Sequence, residues 1–201
     1  MKKNLKYIVC IFSLISFLIL AYLIKTKTNL VIDEKIYSFI SKFISNNITT
    51  AVKFITFLGS ATVVIGVTVL SLIFIKDKKV GLFMSIDLVV ITIFQYILKF
   101  VFQRNRPIGI NLVEETSYSF PSGHSLTAMA FYGFIIYLIY SSKLPKRSKN
   151  IYISLFSLLI FIVGISRVYL GVHFFTDVIG AFSFSLFYLI IYTTVIKDRL
   201  K

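Results

Sequence analysis

The sequence has little cysteine and few acidic residues. Its single cysteine, Cys10, lies inside an apolar segment, so an internal disulfide is excluded and a redox or metal role for this thiol is disfavoured. Only 8 Asp and Glu stand against 22 Lys and Arg, which gives a net charge of +14. In a soluble protein this excess would suggest a nucleic-acid partner. No nucleic acid is expected here, because the basic residues flank long uncharged runs, as in proteins that meet anionic membrane lipid.

Long runs without charge make up most of the chain. Hydrophobic residues account for 57% of the sequence, and the mean hydropathy is +0.88. Soluble domains contain roughly 45–50% apolar residues. A soluble domain of this length could not bury so much apolar surface, so we expect a protein of the membrane. No internal repeat or low-complexity tract is evident, and the length fits a single domain over residues 1–201.

Six apolar runs reach the length that crosses a bilayer, about 20 residues. We therefore predict an all-α bundle of six transmembrane helices, at Leu5–Ile24, Val52–Ile75, Val80–Phe102, Gly123–Tyr140, Ile151–Tyr169 and Phe174–Ile196. The first run follows three lysines, as a signal peptide would. Its apolar core exceeds the usual roughly 7–15 residues and no small-residue cleavage site follows, so a retained helix is predicted. Between the first two runs, apolar residues at helical spacing over Asp33–Asn47 predict a short interfacial amphipathic helix.

The basic residues predict the orientation in the membrane. If both termini are cytoplasmic, thirteen of the 22 Lys and Arg fall on the inner side. Basic residues concentrate in cytoplasmic loops, so this orientation is favoured. The inner residues are Lys2, Lys3, Lys6, Lys76, Lys78, Lys79, Lys143, Lys146, Arg147, Lys149, Lys197, Arg199 and Lys201.

Three polar motifs follow or open the predicted spans at the opposite, extracytoplasmic face. Lys99 ends the third span and is followed by RNRP at positions 104–107. The segment FPSGHS, at positions 120–125, opens the fourth span. The segment SRVYLGVHFFTD, at positions 166–177, joins the fifth span to the sixth. Both histidines of the chain, His124 and His173, belong to these motifs.

The motifs contain groups suited to an anion. Lys99, Arg106 and Arg167 would repel one another without one, and guanidinium groups match phosphate oxygens in pairs. Ser122 is a natural N-cap for the fourth span, and a helix start offers free N–H groups to an anion. Gly123 would let a ligand approach the backbone closely.

The two histidines have different neighbours in the sequence. His124 falls in the first turn of the fourth span. His173 and Asp177 are four residues apart, hence on one face if the sixth helix begins near His173. A carboxylate bound to one ring nitrogen fixes the tautomer and leaves the lone pair of the other nitrogen free to attack.

Together these elements resemble the three-part signature of the type-2 phosphatidic acid phosphatase superfamily. The matching residues are Lys99, Arg106-Pro107, Pro121-Ser122-Gly123-His124, and Ser166-Arg167 with His173 and Asp177. No signature position departs from the pattern, and the six-span layout is also similar, so the resemblance covers essentially the whole chain.

The resemblance implies a role for each matching residue. His173 would be the nucleophile that forms a phosphohistidine, and Asp177 would orient it. His124 would protonate the leaving oxygen and then activate water. The phosphoryl oxygens would be held by Lys99, Arg106, Ser122, Gly123 and Arg167. Positioned donors of this kind carry most of the catalysis in phosphoryl transfer, and the family needs neither metal nor cofactor.

The function implied is a lipid phosphatase of the cell membrane. Its partners would be membrane lipids and a lipid phosphate substrate, with undecaprenyl pyrophosphate, phosphatidylglycerophosphate and phosphatidic acid as candidates. A phosphotransferase is one alternative, and a catalytically silent binder or transporter of lipid phosphates is another. A pure binder would need the cations but neither histidine nor Asp177. An anion channel is disfavoured because the spans show no repeat symmetry.

The remaining charged residues have less specific interpretations. Arg104 is expected to be a surface charge that meets lipid headgroups. Glu114 and Glu115 are expected either to be solvated or to screen positive charge at the mouth of the site. Asp87 would be either protonated and hydrogen-bonded between helices or near the inner end of a shifted span. A metal site on both histidines and Asp177 is disfavoured, because three neighbouring cations would repel a divalent ion.

Overall fold

A computed structural model describes residues 3–28, 30–109 and 111–200. The described residues form helices and connecting loops, with no strand among them. Lys2 and Lys201, two of the predicted inner basic residues, lie outside this part of the chain. The helices are α1 (Lys3–Lys25), α2 (Val31–Ile40), a 3-10 turn (Ser41–Phe43), α3 (Asn46–Leu58), α4 (Ala61–Phe74), α5 (Lys78–Phe102), α6 (Gly123–Ser141), α7 (Lys146–Tyr169) and α8 (Phe175–Ile196). The prediction of an all-helical protein is confirmed.

Five of these helices, α1, α5, α6, α7 and α8, are long and apolar enough to cross a membrane. Their bounds agree closely with five of the predicted spans. The second predicted span, Val52–Ile75, is instead two helices, α3 and α4, bent by 44°. By length and composition, the described residues thus contain five candidate spans, or six if the bent pair counts as one.

The bend between α3 and α4 has a local cause. Gly59 ends α3, and Ser60 caps α4 by accepting a hydrogen bond from the backbone N–H of Val63 at 3.5 Å. A Cβ atom at Gly59 would lie 2.6 Å from Cγ1 of Val163, so the missing side chain also lets α7 pack closely here. The apolar run continues through the bend, and hydropathy alone therefore predicted one helix.

The segment between α1 and α3 differs from the predicted helix over Asp33–Asn47. It is shorter, because α2 ends at Ile40 and a 3-10 turn follows. Its apolar residues Val31, Ile32 and Phe39 are exposed, while the charged Asp33 is buried. α2 packs against α7 and α8, so its buried side faces protein.

The helices are arranged so that α1 packs along α8, and α6 packs against both α7 and α8. Phe131 and Phe134 of α6 are fully buried in this core. The carboxyl ends of α5 and α7 and the amino ends of α6 and α8 meet at one end of the bundle, as the contacts described below establish. That end carries all three motifs.

Asp87 lies in the middle of α5 and is fully buried, so the alternative of a shifted span is wrong. Its carboxyl group interacts electrostatically with Tyr188 of α8. Neither carboxyl oxygen has a partner at hydrogen-bond geometry among the described residues, and the same holds for the Tyr188 hydroxyl. The position between helices agrees with the other alternative, whereas protonation of Asp87 stays a prediction.

Candidate active site

His173 lies in the loop between α7 and α8 with 2% of its side chain exposed. Its Nε2 atom is 3.2 Å from a terminal nitrogen of Arg106. A guanidinium can only donate, so Nε2 accepts and carries a lone pair, and the proton of the neutral ring is on Nδ1. The lone pair therefore points to the region of a predicted phosphate-binding cation.

The Nδ1 side of His173 faces Ser119 and Asp177. Nδ1 lies 3.4 Å from the Ser119 hydroxyl and 3.5 Å from Oδ2 of Asp177. The same hydroxyl donates to Oδ2 of Asp177 at 2.5 Å. Because a hydroxyl can accept and donate together, Ser119 connects the imidazole to the carboxylate. α8 begins at Phe175, after His173, so the expected pairing of His173 with Asp177 forms across the start of the helix.

The surroundings of His173 favour its neutral form. Burial lowers the pKa of His173 from its ordinary 6.5 to about 4, although the nearby carboxylate of Asp177 acts in the opposite direction. The imidazole is therefore uncharged at neutral pH, and only this form has a lone pair for attack on phosphorus.

Arg106 is fixed by the backbone around it. Its guanidinium donates to the carbonyl oxygens of Ser117 and Val172, both at 2.7 Å. Lys99, at the end of α5, donates to the Ser117 hydroxyl at 3.0 Å and to the carbonyl oxygen of Tyr118. Lys99 and Arg106 thus converge on the loop that precedes α6.

Arg167, near the end of α7, is almost fully buried and donates to the Thr56 hydroxyl at 3.0 Å. Its other terminal nitrogen is paired with Oε1 of Glu115. The second oxygen of Glu115 lies 3.5 Å from Arg106. Glu115 therefore bridges two cations that are predicted to bind phosphate. This agrees with the interpretation that it screens positive charge at the site. Burial acts to raise the pKa of Glu115, but the charges of Arg167 and Arg106 outweigh it and hold the pKa below its ordinary value.

The PSGH residues have more varied environments. His124 is half-buried in the first turn of α6, close enough to Arg167, Glu115 and His173 for electrostatic interaction. Among the described residues no group forms a hydrogen bond with its ring, so both nitrogens are available to a ligand.

Ser122 and Gly123 both lie against other groups of the protein. Ser122 is the N-cap of α6, but its hydroxyl pairs with that of Ser125 at 2.8 Å and caps no backbone N–H. Its own N–H donates to the carbonyl oxygen of Asp177 at 3.2 Å. A Cβ atom at Gly123 would lie 2.8 Å from the amide nitrogen of Gln95, so the glycine allows close packing of α5 against α6. Phosphate binding by this pair stays a prediction.

Three residues of the site were missed or misinterpreted from the sequence. Arg104 is not a surface charge: its guanidinium pairs with Asp177 at 2.6 Å and with Asp33 at 2.8 Å. Asp33 and Ser119 were not singled out: Asp33 lies far from every motif, and Ser119 directly precedes FPSGHS but is not part of it. Of the three, only Arg104 could have been found from the sequence, since Arg104 belongs to RNRP and lies two residues before Arg106.

A pocket of about 620 Å³ opens beside the cations. It is lined by Lys99, Arg106 and Glu115, and also by Tyr96 and Phe100 of α5. Tyr96 and Phe100 are 68% and 73% exposed on a membrane-spanning helix. The pocket thus joins a basic region to an apolar outer surface. Among the described residues no three His, Cys, Asp or Glu side chains are placed to share a metal ion.

Residues 79–201, which contain all three motifs, match the PAP2 superfamily. The chain belongs to this superfamily. Phosphatidylglycerophosphatase B of Bacillus subtilis (strain 168) is 39% identical over 137 residues, which are 66% of this chain and 67% of that protein. An undecaprenyl-diphosphatase of Sulfolobus acidocaldarius is 33% identical over 179 residues, 83% of this chain and 81% of that protein.

Two solved structures have a similar fold. The crystal structure of a transmembrane PAP2 type phosphatidylglycerolphosphate phosphatase from B. subtilis matches with a TM-score of 0.86 and 31% identity, over 96% of this chain and 97% of that chain. Aquifex aeolicus LpxE matches with a TM-score of 0.66 and 22% identity, over 80% and 93% of the two chains, and this likeness concerns the fold alone. The protein is therefore a multi-pass membrane protein of a phosphatase family, as its motifs and hydropathy predicted.

Proposed function

We propose that this protein hydrolyses the phosphate monoester or pyrophosphate of a membrane lipid, without a metal ion, through a phosphohistidine on His173. One observation carries the proposal. The Nε2 lone pair of His173 faces Arg106 at 3.2 Å, while Ser119 and Asp177 hold the opposite side of the ring. Phosphoryl transfer to histidine needs a nucleophile that a carboxylate orients and that faces a cationic side chain able to bind phosphate.

The first half of the reaction transfers the phosphoryl group to the enzyme. Nε2 of His173 attacks phosphorus, and the bond from phosphorus to the leaving oxygen breaks. His124 donates a proton to that oxygen, which leaves as the lipid alcohol or lipid phosphate. Lys99, Arg106 and Arg167 stabilise the charge spread over the other phosphoryl oxygens, with Ser122 and Gly123 as further donors.

The second half restores the enzyme. His124, now neutral, takes a proton from water as the water oxygen attacks the phosphohistidine. The bond from phosphorus to Nε2 breaks, and inorganic phosphate leaves. Asp177 keeps the Nδ1 proton in place throughout, so the ring presents the same nitrogen in every cycle.

A lipid is the favoured substrate because of the pocket beside the site. Tyr96 and Phe100 line it at the surface of a membrane-spanning helix, where acyl or prenyl chains would lie. The names of the two relatives suggest phosphatidylglycerophosphate and undecaprenyl pyrophosphate as substrates, and the family resemblance adds phosphatidic acid. We place this chemistry at the extracytoplasmic face, with both termini cytoplasmic, on the distribution of basic residues.

The test is phosphate release by the purified protein in detergent. Phosphatidylglycerophosphate, undecaprenyl pyrophosphate and phosphatidic acid are compared with a soluble phosphate ester, with and without EDTA. We expect EDTA-resistant release that is faster from a lipid than from the soluble ester, and none from His173→Ala. Binding of these lipids without release would indicate the silent binder instead. A loss in EDTA that zinc or magnesium restores would contradict the metal-free mechanism.

A further inference from the structure

Arg104 lies between two buried carboxylates that belong to distant parts of the chain. One terminal nitrogen is 2.6 Å from Oδ1 of Asp177, and the other is 2.8 Å from Oδ2 of Asp33. The guanidinium also stacks on the ring of Phe174, with 4.0 Å between Cζ and the ring centroid. Three directions of contact leave the guanidinium a single orientation.

Asp33 fixes the start of α8 as well as Arg104. Its Oδ1 accepts from the backbone N–H of Thr176 at 2.8 Å, and its Oδ2 accepts from the Thr176 hydroxyl at 2.7 Å. Thr176 lies in the first turn of α8, where backbone N–H groups have no partner within the helix. A side chain of α2 thus caps the helix that carries Asp177.

The two oxygens of Asp177 have separate partners. Oδ2 accepts from Ser119 at 2.5 Å and from the backbone N–H of Phe174 at 2.9 Å, and it faces Nδ1 of His173. Oδ1 is paired with Arg104. Since Asp177 is fully buried, loss of Arg104 would leave Oδ1 without its charged partner and the carboxylate free to rotate away from His173.

We propose that Arg104 and Asp33 are positioning residues for the reaction: Arg104 holds Asp177 in the orientation that directs His173, and Asp33 holds Arg104 and the first turn of α8. This inference rests on the proposed function. α2 then belongs to the catalytic apparatus, although it contains none of the motif residues. The side chains of Arg104 and Asp33 form no hydrogen bond with the described side chains of Lys99, Arg106 and Arg167, the cations predicted to bind phosphate. Substitution of Arg104 or Asp33 should therefore lower turnover and leave phosphate binding unchanged.

The first test compares Asp33→Asn with Glu34→Gln in purified protein. The amide introduced by Asp33→Asn has one oxygen in place of two, so either the cap on Thr176 or the contact to Arg104 is lost. Glu34 is exposed on the same helix, and its substitution removes the same charge. We expect Asp33→Asn to lower kcat about 10- to 100-fold, the range found for partners that orient metal-binding side chains. KM and the inhibition constant for vanadate should stay near the wild-type values, and Glu34→Gln should match the wild type.

The second test is chemical rescue. Arg104→Ala leaves a space beside Asp177 that guanidinium ion can occupy, since Arg104 borders an open groove. Guanidinium chloride, at concentrations too low to denature, should raise kcat of Arg104→Ala severalfold. It should not stimulate the wild type or Asp33→Asn, in which Arg104 is present. A merely structural role for Arg104 predicts no such recovery.

The outcomes separate this inference from the proposed function. If the wild type releases phosphate but Asp33→Asn turns over like Glu34→Gln, the positioning role is overturned and the proposed function stands. Equal losses in kcat and in vanadate affinity would also overturn it, because the site as a whole would then be disturbed. A wild type that releases no phosphate from any lipid overturns both. If Asp33→Asn is not recovered folded, the rescue of Arg104→Ala decides alone.

Discussion

At the scale of single residues, the carboxylate of Glu115 lies between Arg106 and Arg167, two arginines predicted to bind phosphate. A phosphate that binds both guanidinium groups would meet this negative charge. Because its pKa is held below the ordinary value, Glu115 stays ionised at neutral pH and would compete with a phosphate for the two guanidinium groups.

We therefore predict that Glu115→Gln strengthens phosphate binding. The inhibition constant for vanadate should fall about 10-fold, equivalent to roughly 1.4 kcal/mol. KM for the lipid should fall with it. Glu114→Gln, at the exposed neighbouring position, is the control for net charge. Unchanged or weaker vanadate inhibition in Glu115→Gln would mean that the carboxylate organises the cations for the substrate.

The two histidines should differ in their response to the leaving group. His173→Ala should abolish both turnover and any phosphoenzyme. His124→Ala should lower the rate of lipid hydrolysis about 10²–10⁴-fold, the usual contribution of a general acid. The loss should be smaller with a nitrophenyl ester, whose oxygen departs without a proton. With that ester the variant should accumulate an acid-labile phosphohistidine. Phosphate trapped on residue 124 in the otherwise intact protein would reverse the two assignments.

Sequence spacing singled out most of the residues that the structure brings together at the candidate site, but not the contacts that hold them. Lys99, Arg106, His173 and Asp177 stand in short patterns whose spacing implies a common task. Arg104 and Asp177 are 73 positions apart, and Asp33 and Thr176 are 143 positions apart. Pairs of that separation depend on how α2, α5 and α8 pack, which local spacing does not report.

At the scale of helices, glycine lets another part of the chain pack closely against α8. Gly180 of α8 faces Phe120, the residue before the PSGH motif, and an added Cβ atom would lie 2.3 Å from Cε2 of that ring. Phe120 is fully buried and stacks on Phe17 of α1, so it has little room to move. Small residues on membrane helices commonly permit such close approach by a packing partner.

Gly180→Ala should therefore destabilise the protein by about 1–3 kcal/mol, the cost of an overpacked core. Gly66→Ala is the matched control, because a Cβ atom there meets nothing within 4 Å on α4. Better helix propensity should make that control neutral or more stable by ~1 kcal/mol. Melting temperatures in one detergent measure both. Equal melting of the two variants would mean that Phe120 can move aside.

Helix bounds were largely predictable because hydropathy marks where a chain can cross a bilayer. The bend at Gly59 was not, since α3 and α4 are both apolar and only a local cap separates them. The buried side of α2 was also missed: amphipathic spacing indicates which residues share a face but not whether lipid or protein covers it.

At the scale of the whole molecule, the proposed orientation can be measured in intact cells. In a background with Cys10→Ser, a cysteine at Glu114 should react with an impermeant reagent, whereas one at Lys146 should not. Both positions are exposed, so protein burial does not decide the outcome. The reverse labelling pattern would put the site at the cytoplasmic face and contradict the use of the positive-inside rule here.

The pairing of α2 with α8 also has a consequence for biosynthesis. Asp33 and Arg104 leave the ribosome long before their partners. Asp33 pairs with Thr176 and Arg104 pairs with Asp177, and both partners are on the last helix. A chain interrupted before α8 contains both histidines and the three cations predicted to bind phosphate, yet it lacks Asp177, the carboxylate proposed to orient His173. α1 is likewise without its main packing partner until α8 enters the membrane. Hydrolytic activity should therefore arise only at the last step of insertion, so that nascent chains leave the lipids around the translocation machinery intact.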